Sequence, residues 1–275
     1  MSDQTFITLN DGVVIPQLGL GTWRIGDDEA VAVVREAFRL GYRHIDTAQG
    51  YGNERGVGRA VAEAGLLREE VFITSKLRNG EHGFDETLRA FEGTMERLGL
   101  DVLDLYLIHW PSPAVDRYVE SWKAFIRLRE EGRIRSIGVS NFNPDHLERI
   151  IGETGVTPSV NQIELHPCFQ RRDLRDVHAG HGIAIESWSP LGRGNLLGDP
   201  VIASVAQKHG RTPGQVAIRW HIEQGLIVFP KTGNPARLAE NFNVFDFTLD
   251  AEDMARIATL DQADGRTGPD PLLFP

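Results

Sequence analysis

Cysteine is almost absent: Cys168 stands alone among 275 residues. One thiol cannot close an internal disulfide, and it removes any zinc site built on cysteine pairs. Long apolar runs are missing as well. No stretch approaches the roughly 18 apolar residues that a membrane-spanning helix needs. From Met1 to Asn10 there is no basic segment followed by an apolar one, so a secretory leader is not expected. Positive charge is in deficit: Lys and Arg number 29 against 39 Asp and Glu, a formal net charge of −10. A nucleic-acid binder shows the reverse, a basic footprint. The metalloprotease helix H-E-x-x-H, the nucleophile elbow G-x-S-x-G and the Walker A lysine loop do not occur. Gly138-Val139-Ser140-Asn141 fails the elbow at its last position. No Ser/Gly linker, charge block or low-complexity tract divides the chain, so residues 1–275 read as a single domain. The remaining composition, 41% hydrophobic and 25% charged, is that of an ordinary globular protein able to bury a large core.

What recurs is an alternation of short β-branched runs with stretches of helical periodicity, the pattern of βαβ units. Leu18 to Leu20 precedes a helix from about Asp28 to Leu40. Tyr42 to Ile45 precedes one from about Glu54 to Ala64, and Val71 to Ser75 one from about Asp85 to Leu98. Val102 to Ile108 precedes a helix through Trp122 to Glu130. Ser136 to Val139 precedes a helix capped by Asn143 with Pro144 at its first position. Ser159 to Ile163 precedes a short helix near Asp173 to Ala179. Ile183 to Trp188 precedes a helix opened by Thr212 and Pro213, and Leu226 to Phe229 one opened by Asn234 and Pro235. Polar caps, Pro at the first turn and Gly after the end are physical start and stop signals. Eight such units fit a (β/α)8 TIM barrel, typically about 250 residues. Two helices are left over, near Val201 to His209 and Ala251 to Leu260. Thr5 to Leu9 and Val13 to Ile15 form an N-terminal β-hairpin that could cap the barrel bottom, with Asp11-Gly12 favouring a type I′ turn. The alternative, a doubly wound open sheet, expects G-x-G-x-x-G after its first strand. Gly19-Leu20-Gly21-Thr22-Trp23-Arg24 lacks the third glycine.

Active sites of barrels form at the C-terminal ends of the strands. The polar residues that end the runs are therefore the informative ones: Asp46, Lys76, His109, Ser140-Asn141, Gln162, Trp188-Ser189 and Lys231-Thr232, with Tyr51 five residues past Asp46. Taken singly each has a plainer reading. Such an Asp is usually a turn residue, a Lys is usually solvated, and a His or Tyr usually packs. Together they make a workable proton donor. Tyr has a reference pKa near 10, too high for ready acid–base work at neutral pH. A nearby ammonium stabilises the phenolate and lowers that value, and a carboxylate keeps the ammonium charged and oriented. An imidazole can hold the oxygen of a carbonyl.

Gly41-Tyr42-Arg43-His44-Ile45-Asp46-Thr47-Ala48, followed by Tyr51-Gly52-Asn53-Glu54 and Val57-Gly58, resembles the first signature of the aldo-keto reductases. Ile137-Gly138-Val139-Ser140-Asn141-Phe142 resembles their second, and Phe229-Pro230-Lys231-Thr232 with Arg237 and Glu240-Asn241 their third. Leu107-Ile108-His109-Trp110-Pro111, Val160-Asn161-Gln162-Ile163-Glu164-Leu165-His166-Pro167 and Ser187-Trp188-Ser189-Pro190-Leu191-Gly192 match further family motifs. The resemblance runs from about Val14 to Asp261. Within the family the chain is most similar to the bacterial 2,5-diketo-gluconate reductase group, with Asn243-Val244-Phe245-Asp246-Phe247 and the short tail in support.

The resemblance implies a carbonyl reductase with Asp46, Tyr51, Lys76 and His109 as catalytic tetrad. Tyr51 would protonate the carbonyl oxygen while hydride arrives from the nicotinamide. It also implies that Ser140, Asn141 and Gln162 hold the carboxamide and that Trp188 stacks on the nicotinamide. Thr22 and Asp46 would touch the cofactor too. Ser189, Leu191 and Arg193 would lie along the pyrophosphate. Lys231, Thr232 and Arg237 would hold the adenosine end, with Glu240 and Asn241 near the adenine. Asn234-Pro235 opens a helix whose free N–H groups and dipole suit a phosphate, and Arg237 adds a rigid fork. NADPH is therefore expected over NADH, with no metal. Trp23, Trp110, Tyr51 and His109 are expected around the substrate. Arg78 replaces a Trp common after the catalytic Lys, and it either attracts anionic keto acids or turns to solvent. A buried, inert Cys168 is expected. A monomeric cytoplasmic enzyme with no membrane or nucleic-acid partner follows from the resemblance and the charge. The alternative is a nucleotide-sensing regulatory subunit, since the family includes channel accessory subunits. This chain lacks the N-terminal extension such subunits carry.

Overall fold

The structure, a computed structural model, describes residues 4–274. The first three residues of the start inspected above for a leader lie outside them. The chain opens with an antiparallel hairpin, β1 (Phe6–Thr8) and β2 (Val14–Pro16), paired from Phe6↔Pro16 to Thr8↔Val14. Eight strands then alternate with helices: β3 (Leu20–Gly21), α1 (Asp27–Leu40), β4 (His44–Asp46), α2 (Glu54–Glu63), β5 (Phe72–Leu77), α3 (Phe84–Leu98), β6 (Leu103–Ile108) and α4 (Tyr118–Glu130). The series continues with β7 (Ile134–Ser140), α5 (Pro144–Thr154), β8 (Val160–Glu164), α6 (Arg172–His181), β9 (Ala184–Trp188), α7 (Pro200–His209), α8 (Pro213–Glu223), β10 (Ile227–Val228), α9 (Pro235–Phe242) and α10 (Ala251–Ala258). Strands β3 to β10 lie side by side in sequence order, and every neighbouring pair is parallel. Parallel bridges Leu18↔Val228 and Gly21↔Lys231 join the two edges and close the sheet into a barrel. Two backbone hydrogen bonds of 2.8 Å, Gly19 N–H to Val228 O and Val228 N–H to Gln17 O, seal the seam.

Side-chain alternation sorts each strand into an inner and an outer face. On β6, Leu105 and Leu107 point into the barrel with Phe72, Val160 and Ile227. Tyr106 and Ile108 pack outward against the helices, beside Phe91, Trp122 and Phe125. Trp122 is fully buried, and its Nε1 donates to Val156 O at 3.3 Å. Its truncation to Ala would cost about 3–5 kcal/mol. Leu9 and Ile15 join the inner cluster, so the hairpin closes the bottom of the barrel as expected. The surplus helices are α7 and α10, which share a second cluster with Trp220 of α8.

The helix signals hold physically. Gly41 ends α1 with φ 110° and Gly99 ends α3 with φ 66°, conformations that other residues adopt only with strain. Thr212 Oγ1 accepts from Gln215 N at 3.2 Å at the start of α8. The hairpin turn departs from expectation. Gly12 has φ 86°, but Asp11 is not in the positive-φ region that a type I′ turn demands of both central residues. Instead Gly12 N–H bonds Leu9 O at 3.0 Å and Leu9 N–H bonds Val13 O at 2.9 Å. The glycine is the left-handed residue that closes a tighter turn before it. Asp11 meanwhile accepts from Ser136 Oγ at 2.7 Å, a tertiary contact that local turn chemistry does not reveal. Among the described residues, no helix is long and apolar enough to cross a membrane.

Candidate active site

On β5, Phe72 faces inward, so Thr74 and Lys76 do too. Lys76 is 0% exposed at the top of the barrel. Its Nζ lies 2.8 and 2.7 Å from the two Asp46 carboxylate oxygens and donates to Thr47 O at 2.8 Å. A further contact of 3.3 Å reaches the Tyr51 hydroxyl. Four acceptors thus surround one ammonium. Burial works to lower the Lys76 pKa, but the Asp46 carboxylate and the phenol outweigh it and hold the lysine charged, above its ordinary value.

Tyr51 is brought in by a short 3-10 turn, Gln49–Tyr51, whose Gln49 side chain accepts from Arg78 N at 3.1 Å. The phenol differs from expectation. Burial raises its pKa, Lys76 pulls it back, and the net direction is upward. Without a ligand the hydroxyl therefore keeps its proton. His109 follows β6, edge-on to Tyr51 with ring centroids 5.7 Å apart. Burial, aided by the Lys76 charge, pushes its imidazole down to about 3. It is neutral at neutral pH and can hydrogen-bond a carbonyl, but it has no ready proton to give away.

Beside this group the ends of β7, β8 and β9 form a second polar layer. Gln162 Nε2 donates to Asp46 Oδ1 at 2.9 Å and to Glu186 Oε2 at 2.7 Å. Both amide hydrogens are spent, which leaves Gln162 only an acceptor oxygen for a ligand. Asn141, with φ 63°, donates to His109 O at 2.9 Å and to Ser140 Oγ at 3.0 Å. Its Oδ1 accepts from Trp188 Nε1 at 2.8 Å, which fixes the half-buried indole at the rim. Ser140 Oγ donates to Gln162 O at 2.9 Å. Thr22, fully buried, ties β3 to β4 by donating through Oγ1 to Asp46 O at 2.9 Å.

Further along the rim, Ser189 (φ 50°) and half-buried Leu191 lead into a turn where Arg193 has φ 55°. Arg193 and Arg24 both lie over the Trp23 ring, at 5.8 and 4.2 Å from its centroid. Past β10, Lys231 and Arg237 are exposed and form no ion pair among the described residues. Between them Thr232 is buried and its Oγ1 accepts from Asn234 N at 3.1 Å. The start of α9 is not an open set of N–H groups. Asn234 Oδ1 already accepts from Ala236 N at 2.9 Å and Arg237 N at 3.3 Å, the cap that Asn234-Pro235 signals and that takes up N–H groups expected to be free. Attraction for an anion there falls on the two cations and the helix dipole. Glu240 turns to Thr212, whose Oγ1 donates to it at 2.7 Å, while Asn241 is buried.

On the substrate side, Trp23 is 41% exposed and Trp110 is buried. The Arg78 guanidinium lies 3.1 Å from Glu81 and is largely exposed, so its charge is partly spent within its own loop. Sequence reading missed the tail. Phe274 packs on Trp110 with centroids 4.4 Å apart. Glu164 accepts from the backbone N–H of Thr267 at 2.7 Å and of Gly268 at 3.0 Å, and from the Thr267 hydroxyl. At Gly268 a Cβ would stand 2.3 Å from the Trp188 ring, so only glycine lets the tail cross there. Its signal was faint: Glu164 lay inside a recognised motif, and nothing local paired it with residues about a hundred positions on. Cys168 is partly buried against the second cluster, and burial raises its thiol. Among the described residues, no group of three or more His, Cys, Asp or Glu could hold a metal ion.

A closed parallel barrel thus carries a tyrosine and a buried lysine–carboxylate pair together at its C-terminal rim. The chain belongs to the aldo/keto reductase family, whose model matches residues 17–262. It is 56% identical to an aldo-keto reductase of Mycolicibacterium smegmatis, covering 98% of this chain and 97% of that one. It is 51% identical to methylglyoxal reductase DkgA of Escherichia coli K12, covering 100% and 99%. A solved structure of a Gox0644 mutant in complex with NADPH superimposes with a TM-score of 0.96, at 54% identity and 99% coverage of both chains.

Proposed function

We propose that this protein is an NADPH-dependent reductase of aldehydes, ketones and keto sugar acids, with small dicarbonyls of the methylglyoxal kind among its substrates. The observation that carries the reading is the Lys76 ammonium held by Asp46 within 3.3 Å of the Tyr51 hydroxyl. Tyr51 donates its proton to the carbonyl oxygen, and Lys76 stabilises the phenolate left behind. Asp46 keeps Lys76 charged and aimed. Neutral His109 would hydrogen-bond the carbonyl oxygen and so orient the substrate.

The donor set fits the cofactor. Trp188 offers a flat ring fixed by Asn141, Gln162 offers an acceptor to the carboxamide amide, and Ser140 and Asn141 border the same place. Ser189, Leu191 and Arg193 would lie along the pyrophosphate. Lys231 and Arg237, unpaired among the described residues, would with Thr232 hold the adenosine phosphate, and Glu240 and Asn241 would border the adenine. When bound, NADPH supplies the hydride. Trp23 and Trp110 wall the substrate. Arg78 is at most a weak attractor of anionic substrates, because Glu81 shares its charge.

The whole chain reads as one barrel domain working as a cytoplasmic monomer. The acidic balance gives nucleic acid no footing. A panel of aldehydes, dicarbonyls and keto acids assayed with both nicotinamide cofactors tests the function. Turnover with NADPH across several carbonyls is expected, and negligible oxidation of NADPH throughout would overturn it.

A further inference from the structure

Strand β9 reads Ala184-Ile185-Glu186-Ser187-Trp188, an otherwise ordinary buried strand with an acid at its centre. Glu186 is 0% exposed. It shares the inner face with Trp188, two residues on, while Ile185 packs in the outer cluster. In register it stands directly opposite Gln162 on β8. Oε2 accepts from Gln162 Nε2 at 2.7 Å, and Oε1 has no hydrogen-bond partner among the described residues. The same amide nitrogen serves Asp46 at 2.9 Å. One neutral amide therefore lies between two carboxyl groups.

Asp46 on β4 and Lys76 on β5 are the titratable groups that face Glu186. Strand β10 brings apolar Ile227 opposite it. Lys76 is already neutralised by Asp46 at 2.7 Å, so a second carboxylate here would be an uncompensated buried charge. Burial, and next the Asp46 charge, push Glu186 up to about 8. At neutral pH it is a carboxylic acid. Oε2 is engaged as an acceptor, which leaves Oε1 for the proton.

We propose that Glu186 makes the nicotinamide site respond to the charge of the ring it holds. Protonated, it adds no charge and suits the neutral reduced ring; ionised, it places a negative charge next to the Trp188 platform and favours the cationic oxidised ring. Nothing in the hydride or proton transfer requires this acid, so its role lies in the relative affinity for the two cofactor forms. By linkage, binding the oxidised form draws the proton off Glu186, and binding the reduced form does not. Product release therefore weakens as pH rises, through a group that touches neither substrate nor proton donor. The inference rests on the reading of Trp188 as the platform for a nicotinamide.

Quenching of tryptophan fluorescence gives the affinities for NADP+ and NADPH from about pH 6 to about pH 9.5, a range that spans the titration. In the wild type the ratio of the two affinities should shift toward NADP+ by roughly tenfold, the effect of one charge pair well inside the protein. In Glu186→Gln the ratio should stay flat. A Glu186→Gln profile that matches the wild type would overturn the inference while leaving the cofactor reading intact. No quenching by either nucleotide would overturn that reading and the inference with it. Should the variant fail to fold, calorimetry of the wild type in buffers of different ionisation enthalpy decides. Proton release near pH 8 with NADP+ but not with NADPH is expected, and equal release with both would refute the proposal.

Discussion

The Nζ of Lys76 lies 3.3 Å from the hydroxyl of Tyr51 and 4.9 Å from the centroid of the same ring. One ammonium thus addresses both the oxygen that would carry the negative charge and the π-face behind it. That geometry favours the phenolate only once the proton has left, since burial keeps the resting phenol protonated. Replacing Tyr51 with Phe removes the proton and keeps the ring. Turnover should fall about 10²–10⁴-fold, the usual worth of a positioned general acid. NADPH affinity by fluorescence titration should stay within about twofold, because no cofactor contact is lost. Wild-type turnover in Tyr51→Phe would refute the assignment.

The Lys76–Asp46 pair is also a structural commitment. Both side chains are buried, so Asp46→Leu strands an ammonium with one backbone carbonyl and the phenol for partners. Breaking a buried pair from one side costs about 3–5 kcal/mol. Denaturant unfolding should show a loss of that order. The double variant Asp46→Leu/Lys76→Met should recover part of it, because no charge is then left unpaired. A double variant less stable than Asp46→Leu alone would contradict this reading.

Arg237 and Lys231 stand exposed and form no ion pair among the described residues, so their charge is available to a phosphate. Arg237→Ala should raise the Kd for NADPH by roughly tenfold to a hundredfold, as the loss of a charge-assisted hydrogen bond implies. The Kd for NADH should scarcely move. Equal weakening of both cofactors would show that Arg237 does not read the adenosine phosphate.

The tail is pinned through Glu164, and its hold depends on pH. Burial alone would raise this carboxyl, but neighbouring His166 and the hydrogen bonds from Thr267 and Gly268 more than offset it, and the folded value lies below the ordinary one. Its stabilisation is therefore complete above the unfolded value of about 4.3 and is lost as pH falls through the lower folded value. Hydrogen exchange across residues 265–274 should accelerate below about pH 4. Glu164→Gln should show the fast exchange at neutral pH. Protection that is the same in both proteins would place the anchor of the tail elsewhere.

Much of this was legible before any coordinates. Eight strand–helix units, their caps and the polar residues ending each strand follow from local chemistry, because a helix cap or an inward-facing strand residue is set by its nearest neighbours. Asp46, Lys76 and His109 could be named from their places at strand ends and Tyr51 from the loop after Asp46, with the family resemblance joining them into one set. The Leu9–Gly12 turn was misread because Asp11-Gly12 was taken as its central pair, whereas Gly12 closes a turn begun at Leu9 and Asp11 accepts from both Val13 N and Ser136 Oγ. The start of α9 was read as open because the side chain of Asn234 was not weighed against its own helix. Glu186 did carry a signal, an acid inside an apolar strand run, but its meaning depended on what stood opposite.

The sequence by itself determined the alternation of strands and helices, the absence of cysteine-based metal or disulfide chemistry, and which residue types stand at the barrel rim. Those properties depend on composition and on periods of a few residues. Only the tertiary structure decided the electrostatics. It set the phenol above its usual range rather than below, spent both amide hydrogens of Gln162 on two carboxyl groups, and laid residues 265–274 across Trp188 and Trp110. Each of these depends on burial or on partners brought together from separate strands or from distant parts of the chain. Neither the dielectric around a charge nor a contact across a closed barrel is encoded in any short stretch of chain.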